Sequence, residues 1–150
     1  RSVDTYETLN SILVNLFRDV MDLEERAIIT SEYRDITNND MHVIQAVGLG
    51  KPKNMSAIAK ALSVTVGTLT IAMNSLVKKG YVHRERGKED RRVVYISLSE
   101  KGKRAYRHHE DFHRHMIDEI LEDLTKEETG ALVKSLTKLD RWFRRFQEDE

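Results

Sequence analysis

The sequence contains no cysteine, one proline and seven glycines in 150 residues. Without cysteine there is no disulfide framework and no thiolate metal site, which suits a reducing compartment, and a cytoplasmic location is expected. No run approaches the ~20 consecutive apolar residues of a membrane span and no signal peptide is visible, so no membrane partner is expected. The chain begins at Arg1 rather than Met, and a native N-terminus or tag is expected to be missing. There is no nucleophile elbow, glycine-rich phosphate loop or convincing carboxylate pair, which argues against an enzyme.

The charge sums to zero but is segregated along the chain. Residues 1–40 balance at −5, 41–77 at +3, 78–114 at +6 and 115–150 at −4. A basic middle between acidic ends is the distribution of a nucleic-acid module in an ordinary scaffold, although an arbitrarily solvated surface would show it too.

Apolar spacing predicts a long amphipathic helix over 4–29, with Leu9, Ile12, Leu13, Leu16, Phe17, Val20 and Leu23 on its stripe. A polar stretch leads into a short helix around Asp40–Val47, capped by Thr37, Asn38 or Asn39 and ended by Gly48, Gly50 and Pro52. Ser56 is read as the cap of the next helix, whose Ile58, Ala59 and Leu62 face inward. Ser63, Val64 and Thr65 make a turn, and Thr65 caps a helix over 66–79 that stops at Gly80. Residues 81–86 and 93–98 alternate and are rich in β-branched or aromatic side chains, so they read as two strands joined by the tip 87–92. Ser99 opens a long helix to about Asp123, and Thr125 with Glu128 forms a capping box for a last helix over 126–147. The fold class is therefore mainly α with a two-stranded β wing: a winged helix-turn-helix over 37–99. Residues 1–36 and 100–150 supply dimerisation helices, and the whole of 1–150 forms one domain.

The apolar stripes of the terminal helices, with Leu132, Val133, Leu136, Leu139, Trp142, Phe143 and Phe146 on the last, are too rich for this domain to bury alone. Some of each must be core, yet helices at both ends flanking a DNA module suit a two-fold homodimer on a palindromic operator.

At 100° per residue, Leu69, Ala72, Met73 and Leu76 share one face of the helix over 66–79. Gly67, Thr70, Ile71, Asn74 and Lys78 lie opposite, with Thr68 at the flank. Small residues allow close approach to a major groove, asparagine pairs bidentately with adenine, and Thr or Ile contacts a thymine methyl. An exposed Ile71 suits an interface better than water. In the tip, arginine suits the negative potential of a narrow minor groove, and Asp90 reads as the group that aims a neighbouring guanidinium. The expected DNA-contacting set is Thr65, Gly67, Thr68, Thr70, Ile71, Asn74, Lys78, Lys88, Asp90, Arg91 and Arg92. Lys78 and Lys88 are expected on phosphates. A protein-binding winged helix is the competing non-enzymatic reading, disfavoured by the arginines of the wing.

The run Asp90-Arg91-Arg92, a strand, then Leu98-Ser99 and Gly102 resembles the most specific motif of the MarR family of winged-helix repressors, with Ser99 where Thr is commoner. The resemblance covers essentially the whole chain and implies that Arg92 enters the minor groove with Asp90 as its orienting partner. Within the family, Asp40-Met41-His42, residues 64–70, Asn74-Ser75-Leu76, Lys79-Gly80-Tyr81 and residues 90–95 are similar to the fatty-acid-biosynthesis repressor branch of Gram-positive bacteria. That branch implies repression of lipid synthesis with long-chain acyl-acyl carrier protein as corepressor. Leu13, Phe17, Val20, Met41, His42, His109 and Phe112 are then expected to line or gate an acyl-chain pocket. Arg84, Arg86, Arg104, Arg107 and Arg114 are available to the acidic carrier or equally to DNA phosphates.

His109 and His113 are four residues apart on one predicted helix, a spacing that lets two imidazoles reach one metal. His42 or Glu24 could complete a site, and some MarR relatives sense zinc with such ligands. The plainer reading is a polar helix face. No cofactor is expected beyond the acyl chain, with zinc sensing as the alternative.

Overall fold

The computed structural model describes residues 3–148, which form six helices and three strands. Residues 1, 2, 149 and 150 of the expected single domain lie outside the described residues. Two compact units divide the chain, one up to Phe112 and the other from His113.

In the first unit, α1 (Val3–Ile29) is followed by α2 (Asn38–Val47), β1 (Lys53–Asn54), α3 (Met55–Leu62), α4 (Val66–Lys78), β2 (Val82–Arg86) and β3 (Val94–Leu98). Helix α5 (Glu100–Glu122) begins in this unit. Thr37 caps α2 through a reciprocal box with Asp40, which satisfies two backbone donors the helix cannot use. Gly48, at φ +74°, ends α2 by donating to the Ile44 carbonyl. One assignment changes at α3: the cap is Asn54, whose side chain accepts from the Ala57 N–H at 2.8 Å, and Ser56 lies inside the first turn. The reason is that residues 53–54 already form a strand, and the extended backbone of Asn54 is the geometry an N-cap requires.

That strand adds a third member to the wing, giving the antiparallel order β1-β3-β2. Arg84 pairs with Ile96, and Lys53 pairs with the same Ile96 from the other side. The core gathers Met41, Ile44, Ile58, Leu69, Met73, Leu76, Tyr81 and Ile96, with Ala105 from α5.

The start of α5 is locked to the root of the wing. The Ser99 hydroxyl donates to the Gly80 carbonyl at 2.6 Å and accepts from the Gly102 N–H at 3.1 Å. The Ser99 N–H donates to the Tyr81 carbonyl at 3.0 Å. Gly102 is buried, and a Cβ there would lie 2.1 Å from the Tyr81 carbonyl oxygen, so glycine is required by contact rather than by backbone conformation.

The second unit holds the remainder of α5 and α6 (Lys126–Glu148). Thr125 and Glu128 form its capping box, each side chain bonded to the other's backbone N–H. Trp142 meets Phe143 and Phe146 edge-on, with centroids 5.0 and 4.7 Å apart, yet all three remain substantially exposed. On α1, Leu9, Leu13, Leu16 and Phe17 are also exposed. No single helix among the described residues is long and apolar enough to cross a membrane.

Candidate nucleic-acid interface

Helix α4 carries most of the residues expected to contact DNA. Its N-cap Thr65 accepts from the Thr68 N–H at 3.1 Å and donates its own hydroxyl to Thr68 Oγ1 at 2.9 Å. Ser63 turns the chain between α3 and α4 at φ +56°, a left-handed conformation. Leu69, Met73 and Leu76 are buried, which points Gly67, Thr68, Ile71, Asn74 and Lys78 to solvent. Ile71 is 76% exposed, a large apolar group left on a polar face. Thr70 is half-buried and its hydroxyl proton is committed to the Val66 carbonyl at 2.7 Å, so it can offer a ligand its methyl and an acceptor oxygen but no donor.

Asn74 is not free. Arg84, on β2, donates an Nη1 proton to Asn74 Oδ1 at 2.7 Å. The bond ties the wing's first strand to the exposed face of α4. Arg84, Arg92 and Thr70 also line one concavity of about 420 Å³, with Asn54, Ser56 and Val94. Lys88 lies apart from it, on a second concavity of about 380 Å³ with Lys51, Arg86 and Tyr95.

At the wing tip, Arg92 donates Nε and Nη2 protons to the two carboxylate oxygens of Asp90, both at 3.1 Å. The Arg92 backbone N–H adds a third bond to Asp90 Oδ1 at 3.0 Å. These bonds hold the Asp90 carboxyl below the ordinary carboxylate range. The tip closes through Gly87 N–H to the Val93 carbonyl and Val93 N–H to the Asp90 carbonyl. The Arg92 side chain is 92% exposed, so the pair fixes the direction of a cation without burying it. Lys88 and Arg91 are exposed beside it.

Behind the wing, Asp35 gathers donors: the Tyr81 hydroxyl bonds its carboxylate, Lys79 bonds its carbonyl, and Lys101 stands 3.7 Å from its other oxygen. Lys101 also lies over the Tyr81 ring, 4.4 Å from its centroid. Two cations from the basic middle of the sequence are thus engaged within the protein.

Of the expected sensor residues, Glu24, His42 and His109 come together. His109 is buried, and its Nε2 lies 2.8 Å from Glu24 Oε2, while His42 Nε2 lies 3.2 Å from the same oxygen. The His42 and His109 rings are 6.2 Å apart and those of His109 and Phe112 6.1 Å apart. One carboxylate between two imidazoles is a donor set that fits a zinc ion. His113 belongs to the second unit. Of the apolar set, Met41 is sealed in the core, Val20 is half-buried, and Leu13 and Phe17 stand on the exposed face of α1.

Sequence reasoning missed the link from Arg84 to Asn74. The alternation of β2 places Arg84 on an outward position, but nothing local to either residue encodes a contact ten positions apart. Asn54 was within reach, because asparagine is among the best N-caps.

The sequence profile of the family described as Transcriptional regulator SarA/Rot matches residues 26–108. The structure of Streptococcus pneumoniae FabT in complex with DNA superposes with a TM-score of 0.89 at 35% identity, over 94% of this chain and 99% of that one. The regulator SarZ of Staphylococcus haemolyticus is 33% identical over 104 residues, 68% of each chain. The uncharacterised regulator YpoP of Bacillus subtilis is 25% identical over 72% of this chain and 77% of its own. These relatives are transcriptional regulators, not enzymes. Several other curated relatives are matched over less than two thirds of their length.

Proposed function

The chain belongs to the SarA/Rot family of transcriptional regulators, with a winged helix of MarR type, and we propose that it is a homodimeric repressor of fatty-acid-synthesis genes. It binds a palindromic operator, and long-chain acyl-acyl carrier protein is its corepressor. The observation that carries this reading is the wing arginine aimed by Asp90 beside an exposed, small and mostly uncharged face of α4. Hydrogen-bonding side chains on such a face suit a major groove, and an exposed, aimed guanidinium suits a narrow minor groove. The similarity to FabT in complex with DNA, extending over nearly the whole chain, supports the fatty-acid assignment.

Dimerisation is supported by the exposed apolar residues of α1 and, separately, of α6, which exceed what a solvated monomer leaves open. A two-fold dimer presents two reading heads to the two half-sites of a palindrome. In the acyl-chain proposal, Leu13 and Phe17 are already accessible, whereas Met41 becomes available only if the core opens. Fluorescence anisotropy of a duplex carrying a palindrome from a fatty-acid-synthesis promoter, with acylated or unacylated carrier protein present, tests the proposal.

A second reading is favoured by one arrangement: Glu24 between His42 and His109. His42 also lines a recess of about 140 Å³ with Thr68 and Leu69 of α4, which connects these donors to the reading helix. Here zinc, not an acyl chain, would set DNA affinity. Repeating the titration with zinc and with chelator separates the two.

A further inference from the structure

We infer that Arg84 is a specificity-determining partner of Asn74, and that the two residues read a guanine as one unit. The inference rests on the DNA-binding reading above and names the base that this part of α4 selects.

A free asparagine amide matches adenine: its oxygen accepts from N6–H and its nitrogen donates to N7. That match needs the oxygen. In this protein Asn74 Oδ1 already accepts a charge-assisted bond from Arg84 at 2.7 Å. An adenine amino group approaching the same oxygen would have to displace the guanidinium or set its own protons against a cation. Oδ1 keeps a second lone pair, but it lies beside the guanidinium charge, so donors dominate the outward face of the pair: the Asn74 amide NH₂ and the remaining N–H groups of Arg84. Guanine offers two acceptors, O6 and N7, on its major-groove edge and no donor there. The donor-rich pair is therefore better matched to guanine than to adenine.

Both residues are exposed on one unit of the protein, so neither is needed to seal the core. Arg84 acts both by holding the Asn74 oxygen and by offering its own remaining N–H groups to the base.

The test is selection of bound duplexes from a random pool by the full-length protein, with Arg84→Ala, Arg84→Gln and Asn74→Ala alongside. Circular dichroism melts check that each variant is folded. The wild type is expected to select a palindrome with a guanine at one position of each half-site. Arg84→Ala should move that position from guanine to adenine, changing the G-to-A preference by about tenfold or more. Arg84→Gln, which can still donate to Asn74 but lacks the charge, should move it part of the way, and Asn74→Ala should flatten it. If Arg84→Ala weakens binding uniformly and keeps the guanine, the pairing is overturned and Arg84 is an anchor. If the wild type selects no motif at all, the DNA-reading premise itself fails.

Discussion

Arg92 grips Asp90 two residues before it through three hydrogen bonds, yet leaves its guanidinium almost wholly in solvent. A surface pair of this kind adds little to folding stability. Its consequence is directional, because a long flexible side chain is held in one pose before DNA arrives. Arg92→Ala is expected to weaken operator binding and to reduce the slope of log affinity against log salt by about one phosphate-equivalent per site. Unchanged affinity and slope would remove the wing from the interface.

Asp90→Ala gives the less intuitive expectation. It removes a negative charge from a surface that meets a polyanion, yet affinity should fall, because the guanidinium loses its fixed direction. The pH dependence has the same origin. Arg92 holds the Asp90 carboxyl low, so the pair is intact above the ordinary carboxylate range and is lost only as pH falls through the depressed value. DNA affinity measured from pH 7 down to 5 should therefore show no loss from this pair.

Asn74→Ala is expected to relax base preference at one position per half-site, costing about 1–3 kcal/mol on the preferred sequence and little on random DNA. An equal loss on both would make Asn74 a positioning residue.

The elements that carry local patterns could be read from the residues. The stripe of α1, the Thr65 cap, the buried face of α4 and the alternation of β2 and β3 are short-range, and the structure has them at nearly the predicted limits. Strand β1 escaped because two residues, Lys53 and Asn54, are too few to alternate. The contacts that join elements escaped for a different reason. Arg84 to Asn74 is set by how strand and helix pack, and no spacing within either element records it, whereas Glu24, His42 and His109 could be grouped from the sequence only as a candidate metal set. Asp90 with Arg92 is the exception that explains the rule: the partners are two residues apart in one tight turn.

Gly102→Ala probes the joint between wing and α5. The added Cβ would meet the Tyr81 carbonyl at 2.1 Å, and backbone cannot yield as a side-chain tip can. A loss of about 1–3 kcal/mol is expected in urea unfolding, with a lower melting temperature. A neutral result would mean that α5 shifts freely against the wing root.

Asp35→Asn probes the same root from the other side. Burial raises the Asp35 carboxyl, but the Tyr81 hydroxyl and Lys101 more than offset it, and its pKa lies below the ordinary value. The stabilisation is thus present above the ordinary carboxylate pKa and is lost as pH falls through the depressed one. Asp35→Asn should cost about 1 kcal/mol at pH 7 and remove that part of the acid-side decline. Identical stability-versus-pH curves for the two proteins would contradict the assignment.

In the proposed function, acylated carrier protein sets the repressor's grip on its operator. The most direct test is the anisotropy titration of a fatty-acid-synthesis palindrome with this protein, at fixed salt, with long-chain acyl-acyl carrier protein in one series and the unacylated carrier in the other. Binding is expected in both series, with a clear tightening by the acylated carrier alone. Equal affinity in the two series would contradict it.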